Sequence, residues 1–101
     1  MHIPKTKERF LSLLQDESIS LKNIDTSFIN DMSELFKDTK RTDFTGIELW
    51  NTSNVRTMNG MFANAYRFNA DISKWDVSKV ENMDSMFYGA TRFNYQQNQV
   101  L

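Results

Sequence analysis

Cysteine is absent from this sequence of 101 residues, which contains only one histidine and three glycines. Without cysteine, the chain can form no disulfide, no thiolate zinc site and no cysteine nucleophile. The single histidine, His2, lies where we expect a frayed end, so we expect neither a zinc site nor a Ser-His-Asp triad. Asp71 and Asp76 lack the glycine turn of a calcium loop, and the glycines form no phosphate-binding loop. We therefore expect no catalytic site, no cofactor and no metal ion.

The chain also lacks an excess of either charge, because 12 lysines and arginines balance 13 aspartates and glutamates to a net charge of -1. No basic block is present, which argues against nucleic acid as a partner. The apolar runs are too short for membrane insertion. The first residues, MHIPKTKERFLSLLQDE, lack the apolar stretch and cleavage site of a signal peptide. We expect a soluble single domain with a modest core, in a compartment that the sequence does not indicate.

A repeat of 25 residues fills the second half of the chain. Residues 50–73, WNTSNVRTMNGMFANAYRFNADIS, align with residues 75–98, WDVSKVENMDSMFYGATRFNYQQN. A weaker copy begins at Ile24, 26 residues before its counterpart. A period of this length is typical of repeat proteins, in which each unit buries its apolar face against its neighbour.

Two periodicities occur within each repeat. From Val55 to Ala65, apolar residues recur every three or four positions, which predicts a helix with Ser53 as its N-cap. The same pattern follows Ser78. The preceding residues, such as Ile72, Trp75 and Val77, have the L-x-x-L-x-L spacing of a leucine-rich-repeat strand.

These patterns predict an α/β fold: a leucine-rich-repeat-like, right-handed solenoid of short parallel strands and helices, with an N-terminal helical cap. Pro4 and an apolar stripe that includes Phe10 and Leu14 predict the cap helix over residues 6–15. The predicted single domain consists of a cap at 1–20 and repeats over 21–101, with units at about 21–46, 47–71 and 72–96 and a partial strand at 97–101. That last strand either closes the fold weakly or shows that the chain is a piece of a longer array.

The motif W-[DN]-x-S-x-V-x-x-M-x-x-M-F-x-x-A-x-x-F-N resembles the repeat of the BspA-like leucine-rich-repeat surface proteins. The similar branch of that family is described largely from mycoplasma lipoproteins as a domain of unknown function. Residues 50–69 and 75–94 match the motif fully, and residues 24–44 match it in part because they lack the tryptophan. The resemblance implies display at the cell surface or secretion, adhesion in some members, and no enzymatic activity. The chain itself contains no recognisable signal peptide or anchor, so its localisation stays open.

Polar residues between the inward positions of the predicted strands form the candidate binding face. Asp25, Asn51 and Asp76 should form one row, and Asn23, Leu49 and Lys74 the neighbouring row. A protein is the expected partner, since repeat proteins use such faces for binding. A solvated polar face without a partner is the alternative.

The sequence therefore predicts a non-catalytic repeat scaffold for protein–protein binding, with a bacterial surface module as one setting. A second hypothesis is a structural self-assembly unit, because an open C-terminal strand edge could form a homodimer through residues 95–101. A small hydrolase or nucleotide-binding domain is the least favoured reading.

Two asparagines, Asn69 and Asn94, each follow a phenylalanine in the loop between repeats. We interpret them as turn residues whose side-chain amides satisfy loop backbone rather than as recognition residues. The methionine and phenylalanine rows are interpreted as core, because their spacing places them on one face.

We expect Trp75→Ala to unfold most of the protein. Truncation of a buried tryptophan costs roughly 3–5 kcal/mol, which is a large share of the stability of a small domain. Thermal unfolding followed by circular dichroism measures the effect. A variant that melts within a few degrees of the wild type would contradict the burial of Trp75.

Overall fold

The fold, in this computed structural model, contains one α-helix, α1 (Lys7–Leu14), and two 3₁₀ helices, Leu21–Asn23 and Ile47–Leu49. The structure describes residues 1–98, and most of them lie in turns and irregular segments. Within this range no sheet forms, and strand-like pairing is limited to isolated parallel bridges: His2 with Ile24, Asp31 with Thr57, and Thr57 with Asn82. The molecule measures 31 × 28 × 19 Å.

Helix α1 forms where the sequence predicts it, and is one residue shorter at each end. Thr6 is the N-cap, and its hydroxyl accepts a hydrogen bond from the Arg9 N–H at 3.2 Å. The apolar stripe buries Phe10, Leu13 and Leu14 against the rest of the protein. The helix therefore covers one end of the core.

The helices predicted after Ser53 and Ser78 are wrong. The backbone there forms successive turns closed by i→i+3 hydrogen bonds, which include Val55 N–H to Thr52 O, Met61 N–H to Met58 O and Ala65 N–H to Phe62 O. Such a run of turns returns side chains to one face every three or four residues, and so produces the apolar spacing of a helix. Ser53 is not an N-cap, because no helix follows it and its hydroxyl donates to Asn51 Oδ1 at 2.6 Å.

Three turn segments replace the predicted helices: the first at 31–38, the second at 57–64 and the third at 82–89. Alternate residues of one segment donate their backbone N–H to carbonyls of the next segment. From the first to the second segment the pairs are Met32–Thr57, Glu34–Asn59, Phe36–Met61 and Asp38–Ala63, at 2.8–2.9 Å. From the second to the third they are Met58–Asn82, Gly60–Asp84, Phe62–Met86 and Asn64–Tyr88. The repeat is therefore held together by its backbone as well as by its apolar side chains.

Left-handed residues recur at two positions of every turn segment. Their φ angles are 58° at Glu34, 61° at Gly60 and 57° at Ser85, then 59° at Asp38, 59° at Asn64 and 74° at Gly89. A right-handed helix cannot continue through such residues. They redirect alternate N–H groups sideways, toward the neighbouring segment.

The predicted parallel strands are wrong as well, and with them the α/β class and the leucine-rich-repeat-like solenoid. Two of the three predicted strand starts are 3₁₀ helices, and at the third the Trp75 N–H closes a turn onto Ile72 O at 3.1 Å. Apolar residues three apart, such as Leu21 and Ile24, share a face in a 3₁₀ turn just as they do in the L-x-x-L pattern. The spacing therefore did not distinguish the two conformations.

Both tryptophans are buried, as predicted, with 5% of each exposed. The indole N–H of Trp50 donates to Leu21 O at 2.9 Å, and that of Trp75 donates to Ile47 O at 3.0 Å. Each tryptophan thus satisfies a carbonyl of the preceding repeat and fills the core between the two repeats.

Phenylalanine rings stack from one turn segment to the next. The centroids of Phe36 and Phe62 are 5.5 Å apart with rings inclined by 6°, and those of Phe62 and Phe87 are 5.7 Å apart at 2°. A second row joins Phe68 to Phe93 at 5.6 Å. Since stacked aromatic pairs bury large apolar areas, these rows confirm the core interpretation for Phe36, Phe62, Phe68 and Phe93, which are all buried.

Turns closed by an aspartate or asparagine side chain recur along the chain. The carboxyl or amide oxygen accepts the N–H two residues later at Asp16, Asp25, Asp31, Asp43, Asn51, Asp71, Asp76 and Asn82. This Asx-turn fixes the local backbone without regular secondary structure. Asparagine and aspartate both serve, because the turn needs only an oxygen acceptor.

The same turns lower the pKa of six carboxyls. In four aspartates the pKa lies below the ordinary 3.8: Asp16, Asp43, Asp71 and Asp76. The main cause is the hydrogen bond from the hydroxyl of the residue two positions later, and the second cause is the hydrogen bond from the backbone N–H of that residue. The N–H and then the hydroxyl of Ser27 lower the pKa of Asp25. Burial would raise the pKa of Asp31, but hydrogen bonds from Ser33 and Lys7 outweigh it.

We expect the melting temperature to fall as pH drops below about 3.8. The folded carboxyls have a lower pKa than the unfolded ones, so their stabilisation is complete above the unfolded pKa and is lost as pH falls through the folded pKa. Thermal melts between neutral and strongly acidic pH measure this. In the double variant Asp25→Asn/Asp76→Asn, each asparagine keeps the oxygen that accepts the turn's hydrogen bond, as Asn51 does naturally, but carries no titrating carboxyl. The loss of stability at acid pH should therefore be smaller in this variant than in the wild type. An unchanged pH dependence in this variant would contradict the role of the turns.

We expect Ser85→Gly to stabilise the protein by about 0.5–1 kcal/mol, because glycine adopts φ near +57° without the clash of a side chain. Gly60 already occupies the equivalent position in the second segment. Ser12→Gly, in the exposed face of α1, is the matched control and should destabilise the protein instead. Urea titrations compare the two variants, and a loss of stability in Ser85→Gly would argue against this conformation.

Candidate interaction surfaces

The first row of the predicted face is built by turns rather than by strands. The Thr26 hydroxyl donates to Asn51 O at 2.8 Å, and the Thr52 hydroxyl donates to Asp76 O at 2.9 Å. Asp25 precedes Thr26, so Asp25, Asn51 and Asp76 occupy equivalent places in neighbouring repeats. Binding of a partner by this row stays a prediction.

Each member of this row has a structural role that the sequence reasoning missed. An oxygen of Asp25 accepts the Ser27 N–H at 2.9 Å, while Asn51 and Asp76 accept the N–H groups of their own Asx-turns at 3.0 Å. The spacing of an aspartate or asparagine two residues before a serine is the signal that identifies these turns. One side-chain oxygen of each residue is therefore engaged within the fold.

The second row, Asn23, Leu49 and Lys74, lies on the surface. Leu49 is 72% exposed and is the most prominent apolar side chain of the face. The Asn23 carbonyl accepts the His2 N–H at 2.8 Å, and His2 O accepts the Asp25 N–H at 2.7 Å. The expectation of a frayed end at His2 is therefore wrong, because its backbone pairs with the edge of this face.

A different surface lies beyond the third turn segment, at the end of the molecule away from α1. The positions that donate in the second segment correspond to Met83, Ser85, Phe87 and Gly89 in the third. Within residues 1–98, the backbone N–H groups of these four residues make no hydrogen bond. We call these groups, with the apolar side chains beside them, the outer edge. The carbonyls of the third segment at 82, 84, 86 and 88 already accept from the second, so the four N–H groups are what this segment offers to a neighbour. Beside them, the Glu81 carbonyl corresponds to Asn30 O and Arg56 O, which accept from the following repeat, and it accepts no hydrogen bond within residues 1–98.

An apolar cavity of about 540 Å³ adjoins the outer edge. Its lining includes Met83, Met86, Phe87, Phe93 and Tyr95. Tyr95 is 62% exposed and packs edge-on against Phe87 and Phe93, with centroids 5.7 and 5.0 Å away. The sequence reasoning assigned Met83 and Phe87 to the core, yet both are only half-buried. The reason is positional: within residues 1–98, no further turn segment packs against the third one.

The opposite edge of the first turn segment is covered. The ammonium of Lys7, in α1, donates hydrogen bonds to Ser33 O and Ser33 Oγ at 2.8 Å and to Asp31 Oδ1 at 3.2 Å. Phe10 packs against Trp50 at 5.2 Å between centroids. Helix α1 therefore shields the apolar core, and its Lys7 donates to Ser33 O, a carbonyl that could otherwise accept a hydrogen bond from another segment.

The segment proposed for dimerisation, 95–101, lies partly outside the described residues, since the structure describes none of 99–101. Of its described part, Tyr95 is exposed, whereas Asn98 is buried and accepts the Ile72 N–H at 2.7 Å through Oδ1. The asparagine interpretation of the loops is confirmed at Asn69, whose Oδ1 accepts the Asn94 N–H at 3.0 Å. Its described part, 95–98, is thus tied to the third repeat through backbone and side-chain amides.

Over the described part of the chain, no three His, Cys, Asp or Glu side chains gather closely enough to hold a metal ion. The same residues include no helix with the length and apolar character needed to cross a bilayer. The outer edge exposes backbone N–H donors and aromatic rings, which are groups that can contact another polypeptide.

Comparison with known proteins gives one family and nothing more specific. No curated protein and no solved structure matches the chain. The match to a family covers residues 6–100, nearly the whole sequence, and supports the mycoplasma part of the resemblance but not a BspA-like leucine-rich repeat. By this match the chain belongs to the family described as mycoplasma protein of unknown function, DUF285.

Proposed function

We propose that this protein is a non-catalytic protein-binding module, and that the outer edge is its contact surface. The observation that carries the proposal is a row of four backbone N–H groups that have no partner among residues 1–98, beside a cavity of about 540 Å³. Backbone donors give affinity for a polypeptide, and an adjoining pocket selects its side chains. Both kinds of contact occur together at this edge.

Energetics favour occupation of this edge. Phe87 stacks on Phe62 at 5.7 Å and on Phe93 at 3.8 Å between centroids, yet it stays only half-buried, and Met83 and Tyr95 leave further apolar surface in water. Removing apolar area from water contributes about 25 cal/mol per Å², and satisfying donors in an apolar setting adds to this. A partner that covers the edge would gain from both terms.

The predicted face around Leu49 is the alternative surface for the same function. Its polar members are partly engaged in their own turns, and Leu49 is a single exposed apolar residue, which is common on protein surfaces. It adjoins no comparable row of free donors. The outer edge is therefore the better supported of the two contact surfaces.

Self-assembly through residues 95–101 is the second candidate function, and the exposure of Tyr95 favours it. Two copies meeting through the same edge would however place N–H groups against N–H groups, which form no hydrogen bonds. A symmetric dimer would thus rest on apolar contacts around Tyr95 alone. Sedimentation at increasing protein concentration tests this candidate, and a strict monomer would remove it.

The resemblance of the repeat motif to the BspA-like surface proteins adds a proposed setting. It favours a partner met at the cell surface or outside the cell. This part of the proposal depends on the motif W-x-x-S-x-V-x-x-M-x-x-M-F and not on the shape of the fold.

To test the proposed surface, a displayed library of random peptides is panned on the protein. We expect enriched peptides whose affinity falls at least about tenfold, or roughly 1.4 kcal/mol, in the edge variant Met83→Lys/Tyr95→Lys. Leu49→Lys, on the alternative face, is the matched control and should bind as the wild type does. Thermal melts confirm that each variant is folded, and Tyr95→Lys alone replaces the double variant if that one unfolds. Failure to enrich any peptide, or loss of binding only in Leu49→Lys, would contradict the proposal.

A further inference from the structure

Given the proposed role of the outer edge in protein binding, we infer that its occupant is a further turn segment of the same kind. Such a segment has an apolar row of the Met-x-x-Met-Phe type and offers backbone carbonyls at every second residue. It would come from another polypeptide, and it would bind as the third turn segment binds the second.

The hydrogen-bonding pattern sets the first requirement on the occupant. Gly60 and Asn64 have φ angles of 61° and 59°, and both donate to the third segment. Ser85 and Gly89, at 57° and 74°, repeat that conformation, so their N–H groups point in the corresponding direction beyond the third segment. An occupant must therefore present carbonyl oxygens at the spacing seen at 82, 84, 86 and 88.

Other backbone structures meet this requirement poorly. The carbonyls of an α-helix are used within the helix, apart from its last turn. The edge of a β-strand presents alternating N–H and C=O groups, so some of its donors would face donors of the outer edge. A turn segment presents carbonyls alone on one side, as the second segment shows with Thr57, Asn59, Met61 and Ala63.

The aromatic rows set the second requirement. Phe36, Phe62 and Phe87 follow each other at 5.5 and 5.7 Å, and the next place in the row lies at the cavity of the outer edge. Tyr95 covers only an edge of Phe87, with rings at 81°. A phenylalanine at the equivalent position of an incoming segment would continue the row face to face.

A folded second copy of this protein does not meet these requirements. Its matching carbonyl side belongs to the first turn segment, where the Lys7 ammonium already binds Ser33 O at 2.8 Å and α1 buries Phe10 and Leu14. A head-to-tail contact would have to displace α1. The occupant is therefore a segment without such a cap.

The probe is a synthetic peptide with the sequence of residues 50–74, added to the ¹⁵N-labelled protein. We expect saturable binding, with amide hydrogen exchange slowed at least about tenfold at Met83, Ser85, Phe87 and Gly89. The control peptide carries serine in place of Met58 and Phe62 and should not bind. Leu49→Lys protein should bind the peptide normally, whereas Met83→Lys/Tyr95→Lys should not.

A peptide that is poorly structured alone pays an ordering cost, so a covalent version removes that obstacle. In this variant, residues 75–98 are repeated directly after Gln99, which keeps the register of 25. We expect a higher melting temperature and slowed exchange at the same four amides. The matched control repeats the same residues with serine at the positions of Met83 and Phe87.

The outcomes separate this inference from the proposed function. Unchanged exchange at the four amides in both the peptide and the covalent experiments would overturn the inference. Library peptides of unrelated sequence that still need Met83 and Tyr95 would leave the protein-binding function standing while the inference fails. Concentration-dependent self-association of the unmodified protein through this edge would also overturn it, because it would show that a folded copy is the occupant.

Discussion

The structure depends on lateral backbone hydrogen bonds between turn segments. Alternate N–H groups of each segment point out of it, so no segment satisfies all of its own backbone, although i→i+3 bonds pair some of its other N–H groups. Buried backbone donors are rarely left without a partner. Each segment needs a neighbour with carbonyls in the same register. The left-handed residues at positions such as Gly60 and Asn64 create this requirement, since they turn the donors sideways.

Side chains reinforce the same register. The phenylalanine rows place ring on ring between segments, and the indole N–H groups of Trp50 and Trp75 return to carbonyls of the preceding repeat. A shift of one residue would separate the rings and the hydrogen bonds together. The lateral pairing is therefore fixed by polar and apolar contacts at once, which compensates for the scarcity of helix and sheet.

The two ends of the fold differ for a physical reason. One end presents carbonyls, and α1 covers it with apolar side chains and the Lys7 ammonium. The other end presents donors beside Phe87 and Tyr95, and the described residues cover it only in part. This asymmetry is the basis of the proposed binding function.

The sequence by itself determined the repeat of 25 residues, the place of α1, the burial of both tryptophans and the mycoplasma part of the family resemblance, but not its BspA-like leucine-rich-repeat part. These follow from residue identities at fixed spacing, which the chain displays directly. The sequence could not distinguish a helix from a run of turns after Ser53, because both an α-helix and successive i→i+3 turns place Val55 and Met58 on the same face. Nor could it show that Asp25, Asn51 and Asp76 close their own turns, or that Met83 and Phe87 remain half-exposed. Those features depend on where N–H groups point and on what lies beside the last repeat, and only the packing of repeat against repeat decides both.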